Sequence, residues 1–186
     1  LQTTRFREDA REIIREAVGA NRDEHVVLFA GSGSTGAIDR LIDAPAPPGA
    51  LALAQALRAR HGDTVAAVLF YGSNFRRADD REGLLDLYVL VDDCRAALAS
   101  RLSALACRLL PPNVYYLELP VDGRTVRCKY ALLGLAVFGR HMTARQSYFW
   151  GRFGQASGLL YARDAAARQQ VTRALTQAVL TLLSRA

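Results

Sequence analysis

The sequence is short of the residues that staple or anchor a small protein. Its cysteines are only three, Cys94, Cys107 and Cys128, with no CxxC pair among them. An odd number at such spacings argues against both a secreted disulfide framework and a zinc ribbon, and fits a reducing compartment. Lysine is nearly missing: of 24 basic residues, all but Lys129 are arginine. No apolar run approaches the roughly 18 residues that a membrane span needs. The polar, charged start carries no signal-peptide pattern. There are no internal repeats and no low-complexity tail.

What remains is a chain of 186 residues, 51% hydrophobic and 23% charged. That length suits one domain, or one domain with an appendage, and allows a core without staples. The net charge of +6 favours anionic partners such as nucleotides, nucleic acid or acidic lipid.

Periodicity predicts a helix over 3–20, with Phe6, Ala10, Ile13, Ile14 and Ala17 on one face. A short strand over 26–30, a glycine-serine turn over 31–36 and a short helix to about 42 follow. Ala44-Pro45-Ala46-Pro47-Pro48-Gly49 reads as a linker and domain boundary. Beyond it the pattern predicts a helix over 50–60, a buried strand over 65–71, a polar loop over 72–83, a strand over 84–91 and a helix over 94–109. Strands over 114–119 and 125–132 join at Asp122-Gly123, a hairpin signal. Residues 133–162 are mixed and aromatic. Asp164 caps a final helix with a stripe of Val171, Leu175, Val179 and Leu182. Tyr115, Tyr116, Tyr148, Phe149, Trp150 and Phe153 read as core and core-edge aromatics.

Two constellations carry chemistry. Gly31-Ser32-Gly33-Ser34-Thr35-Gly36 matches GxGxxG between an expected strand and helix, where backbone N–H groups hold a phosphate. No acidic residue closes a second strand about 20 positions on, as a dinucleotide site requires. With Thr3-Thr4-Arg5-Phe6-Arg7 and His25-Val26-Val27-Leu28-Phe29-Ala30, this turn resembles the class V aminotransferases. There it cups the phosphate of pyridoxal phosphate. Such an enzyme also needs a Schiff-base lysine, and Lys129 stands in a different context. Residues 1–45 therefore read as an appendage resembling a fragment of that family.

The second constellation begins where strand 65–71 runs into Gly72-Ser73, with Asp86 opening the next strand. A glycine lets the backbone approach phosphate oxygens, and a serine adds a donor. Hard carboxylate oxygens hold the Mg²⁺ that bridges phosphates. Alternation puts Asp86, Tyr88, Leu90 and Asp92 on one strand face, with Asp92 about 20 Å along the strand. Further metal-ligand candidates are Asp93 and Glu118. None of His25, His61 and His141 is placed to act as a general base.

Four blocks occur in order: Phe70-Tyr71-Gly72-Ser73; residues 84–93 around Asp86; Asn113-Val114-Tyr115-Tyr116 with residues 123–130, ending in Cys128-Lys129-Tyr130; and residues 148–155, with Trp150-Gly151-Arg152-Phe153. Together they resemble the Tam41 family of phosphatidate cytidylyltransferases over about residues 50–175. The resemblance implies an α/β fold over 46–186: a nucleotidyltransferase-like mixed sheet flanked by helices, preceded by a helix-strand-turn appendage. It also implies that a C-terminal part of the family is missing. The implied reaction converts CTP and phosphatidate to CDP-diacylglycerol and pyrophosphate with Mg²⁺, at the inner face of the cell membrane, with no nucleic acid partner. Gly72, Ser73, Lys129, Tyr130 and Arg152 would bind nucleotide. Asp86 and Lys129 would be catalytic, and Asp86 and Asp92 would bind metal. The turn reads Gly-Ser-Asn and Ala131 follows Tyr130, where the family has glycine at both third positions. The alternatives are a nucleotidyltransferase with another acceptor, an inactive nucleotide- or membrane-binding remnant, and an aminotransferase fragment.

Overall fold

A computed structural model of the chain describes residues 2–21, 43, 45–77, 80–81, 83–98, 112–144, 146 and 148–185. The chain divides into two compact units, residues 1–37 and 38–186. In the first, α1 spans Gln2–Ala17, with Glu8–Arg11 and Glu12–Arg15 pairs one turn apart along it. The strand and glycine turn expected over 26–36, and the short helix after them, lie outside the described residues.

The second unit is built on an open, mixed five-stranded sheet. Its elements are α2 (Pro48–His61), β1 (Val65–Tyr71), α3 (Ser73–Arg77), β2 (Leu85–Val91), α4 (Cys94–Ala97), β3 (Asn113–Val121), β4 (Arg124–Gly134), α5 (Leu135–His141), α6 (Trp150–Phe153), β5 (Gly158–Ala162) and α7 (Ala165–Arg185). The strand order is β3-β4-β2-β1-β5. β2 and β4 run parallel, and the other neighbours run antiparallel. No described helix is long and apolar enough to cross a membrane.

β1 and β2 are nearly unbroken apolar runs because helices cover both faces of the sheet at its centre. On one face Leu53, Ala54 and Leu57 of α2 pack on Val68, Phe70, Leu87, Val89 and Tyr130. On the other, Phe138, Phe153, Val171, Leu175 and Ala178 pack on Leu69, Tyr88, Leu90 and Leu133. Of the stripe predicted for the final helix, Val171 and Leu175 are buried in the domain, while Val179 and Leu182 are half-buried. Asp164 caps it, accepting from Ala167 N at 2.7 Å. The hairpin turn falls at Asp122-Gly123, with φ of 48° and 76°, the left-handed pair that matches strand twist.

Three expectations change. The loop after β1 holds a short helix, α3. The helix expected over 94–109 is helical at Cys94–Ala97 and extended at Leu98, and 99–111 lie outside the described residues. An unexpected edge strand, β5, pairs with β1. Pro47 and Pro48 open α2, since proline suits the first helical turn. Cys128 is buried and free.

Two buried polar groups tie the layers together. Asp80 accepts from the Gly49 backbone N–H at 2.5 Å, capping α2 from a distant loop. It also pairs with Arg124 Nη2 at 2.7 Å, while Arg124 Nη1 reaches the Asp80 carbonyl at 2.6 Å. His61 Nδ1 lies 2.8 Å from the Ala97 carbonyl, which only accepts, so Nδ1 carries the proton. Nε2 then accepts from the Tyr130 hydroxyl at 3.2 Å.

Asp80→Ala removes a helix cap and a buried ion pair, and should lower stability by about 1–3 kcal/mol in urea unfolding. Burial holds the His61 pKa below its ordinary 6.5, so folding favours the neutral ring. Its stabilising contribution is complete above pH 6.5 and is lost as pH falls towards the folded pKa. Unfolding curves between pH 8 and 5 should show this loss, and His61→Gln should flatten it.

Candidate functional site

The only non-buried position along β1 and β2 is Asp86, at the start of β2. β1 ends beside it, and the chain turns at Gly72 with φ of 89°. A Cβ at Gly72 would lie 2.7 Å from Asp86 Oδ2. Glycine is needed there twice over, for the backbone conformation and for the approach of the carboxylate. In β4, Lys129 stands in register with Asp86, and its Nζ lies 3.0 Å from Asp86 Oδ1. That ion pair is the partner of Oδ1, which is shielded from solvent.

Arg152, on α6, closes the other side. Its Nη1 donates to the Tyr71 hydroxyl at 3.2 Å, and its guanidinium sits 4.8 Å from the Tyr148 ring centroid. Burial, and secondarily the Asp86 charge, push the Tyr71 hydroxyl up to about 12. It therefore remains protonated at neutral pH and serves as a neutral polar group. Tyr71, Gly72, Asp86, Lys129, Arg152, Gln155 and Ala156 together line a cleft of about 240 Å³.

The structure thus brings Gly72, Asp86, Lys129 and Arg152 to one place. Ser73 opens α3 beside the cleft without lining it. Tyr130 does not reach it. Odd and even residues of β4 face opposite sides of the sheet, and Tyr130 is 1% exposed in the core under α2. Asp92 follows the far end of β2 and pairs with Arg163. Asp93 caps α4 through Arg95 N at 2.9 Å. Glu118 accepts from Tyr116 and Arg127. Of the aromatics expected in the core, Phe149, Trp150 and Phe153 are buried, whereas Tyr116 and Tyr148 are exposed. Sequence reasoning did not assign Tyr71, Gln155 and Ala156 to the cleft. The register of Tyr71 against Asp86 was the available signal for the first.

Among the described residues, no three His, Cys, Asp or Glu side chains gather as a metal cage. The donor set fits a different arrangement. A single carboxylate such as Asp86, paired here with Lys129, could hold a Mg²⁺ ion whose other ligands come from water or a bound anion. The cations Lys129 and Arg152 line the same cleft as Asp86. No protein-family model matches the chain, and no curated protein matches it.

Gly72→Ala should cost about 1–3 kcal/mol, because it adds both a strained φ and a clash. Combining it with Asp86→Ala should relieve the clash. The double variant should then be more stable than the sum of the single losses allows in a double-mutant cycle.

Proposed function

We propose that the cleft belongs to a Mg²⁺-dependent nucleotidyltransferase, and that its reaction transfers the cytidylyl group of CTP to phosphatidate at a membrane surface. The observation that carries this reading is the convergence of Asp86, Lys129 and Arg152 on a glycine turn at one end of the sheet. A strand, a Gly-Ser turn opening a helix, and a neighbouring strand headed by a carboxylate are the order a nucleotidyltransferase fold uses. The sequence blocks that resemble the Tam41 family include these same positions.

The chemistry asks little of the protein beyond positioning and charge. A phosphate oxygen of phosphatidate, already ionised at neutral pH, attacks the α-phosphorus of CTP. The new P–O bond forms as the bond to the β-phosphate bridging oxygen breaks. Pyrophosphate leaves with the electron pair, and no proton needs to be removed from the nucleophile. Of the described histidines, His61 is committed to Ala97 and Tyr130 on the opposite face, and His141 stacks on Phe149.

Gly72 admits the phosphates close to the backbone. Lys129, a point charge on a flexible stem, offsets the charge that grows on the transferring and leaving groups. Arg152 holds a second phosphate oxygen, its fork fixed by the Tyr71 hydroxyl. Asp86 would hold Mg²⁺, which when bound neutralises phosphate charge and supports in-line displacement.

The test is pyrophosphate release from CTP and Mg²⁺ with phosphatidate vesicles. Release should require phosphatidate and fall by at least about a hundredfold in Asp86→Ala and Lys129→Ala. Release with another acceptor in place of phosphatidate would keep the nucleotidyl chemistry and change the acceptor. CTP binding without turnover would mark an inactive relative, and absence of both would refute the reading.

A further inference from the structure

The pairing registers align a row of four side chains across the sheet. Tyr116 on β3 faces Lys129 on β4, Lys129 faces Asp86 on β2, and Asp86 faces Tyr71 on β1. All four point to the face that carries α5, α6 and α7. Tyr71, at one end, lies under Arg152. Tyr116, at the other, is 53% exposed, and its same-face neighbour Val114 is 61% exposed. Next to Lys129, at the edge of the cleft, the edge strand thus presents an exposed aromatic and apolar strip on the same face.

Tyr116 is exposed yet held. Its hydroxyl donates to Glu118 Oε2 at 2.7 Å, and Arg127 Nε donates to the same oxygen at 3.3 Å. The Tyr116 hydroxyl, and after it Arg127, holds the Glu118 carboxyl below the usual carboxylate range, so it is ionised at neutral pH. The result is a tethered ring with a carboxylate at its rim, two strand spacings, about 10 Å, from Asp86. A nucleotide anchored by its phosphates at Lys129 and Asp86 has its base within reach of that ring.

Resting on the nucleotidyl reading of the cleft, we infer that Tyr116 and Glu118 form its nucleobase subsite. The base stacks on the Tyr116 ring. The Glu118 carboxylate accepts a hydrogen bond from an exocyclic amino group, the donor that cytosine presents and uracil replaces with a carbonyl. Stacking supplies affinity for any base, and Glu118 supplies the preference for an amino-bearing one.

Calorimetric titration with CTP, UTP and inorganic tripolyphosphate, each with Mg²⁺, separates these roles. Tyr116→Ala should weaken CTP binding by about tenfold or more and leave tripolyphosphate binding unchanged, which also shows that the cleft is intact. Tyr116→Phe should keep most of the CTP affinity. Glu118→Gln should narrow the gap between CTP and UTP. Equal CTP affinity in wild type and Tyr116→Ala would overturn the subsite while leaving the nucleotidyl reading in place. Equal affinity of the wild type for CTP and UTP would overturn the role of Glu118. Wild-type protein that binds neither CTP nor tripolyphosphate would overturn both readings.

Discussion

Burial of β1 and β2 on both faces constrains everything else in the second unit. A carboxylate in the middle of either strand would lose its hydration at a cost of several kcal/mol, with nothing at hand to replace the lost water. Charge is tolerated at the strand ends, where solvent reaches the backbone. Asp86 occupies such an end, and the parallel pairing of β2 with β4 sets Lys129 beside it. The acid and the base share one place because the apolar sheet leaves few other places for them. Gly72 completes the arrangement, since any larger residue would push into the carboxylate.

The loop between β1 and β2 is held by Asp80. This carboxylate meets the α2 N-terminus on one side and Arg124, at the start of β4, on the other. Orphan N–H groups and a guanidinium replace its hydration shell. The same contacts tie the loop that follows Gly72 to the two elements that carry the core beneath it. At the other end of α2, on the same face of the sheet, His61 and Tyr130 play a comparable part, joining the helix to β4 and to Ala97.

Long elements with an unbroken pattern could be read from sequence. β1 and β2 announce themselves as apolar runs, the final helix by its stripe and its Asp164 cap, and the β3–β4 hairpin by Asp122-Gly123. The edge strand β5 could not, because five residues beside an aromatic-rich stretch show no period of their own. Its strand character comes from hydrogen bonds offered by β1. The family resemblance implies a nucleotide-binding role for Tyr130 beside Lys129, yet adjacent strand residues face opposite ways. Tyr116 carries no local mark of exposure. Alternation along β3 assigns it a face, and only the packing shows that this face is open.

The sequence by itself determined which residues could carry charge-based chemistry and which segments would be central strands. Hydrophobic runs, a lone lysine and a glycine turn are local facts of composition and order. Tertiary structure decided which of those residues meet. Strand order and register are set by the pairing of segments far apart in the chain, and a shift of one residue would turn Lys129 away from Asp86. The same register sends Tyr130 into the core, leaves Asp92 to Arg163, and brings Tyr116 into line with the cleft.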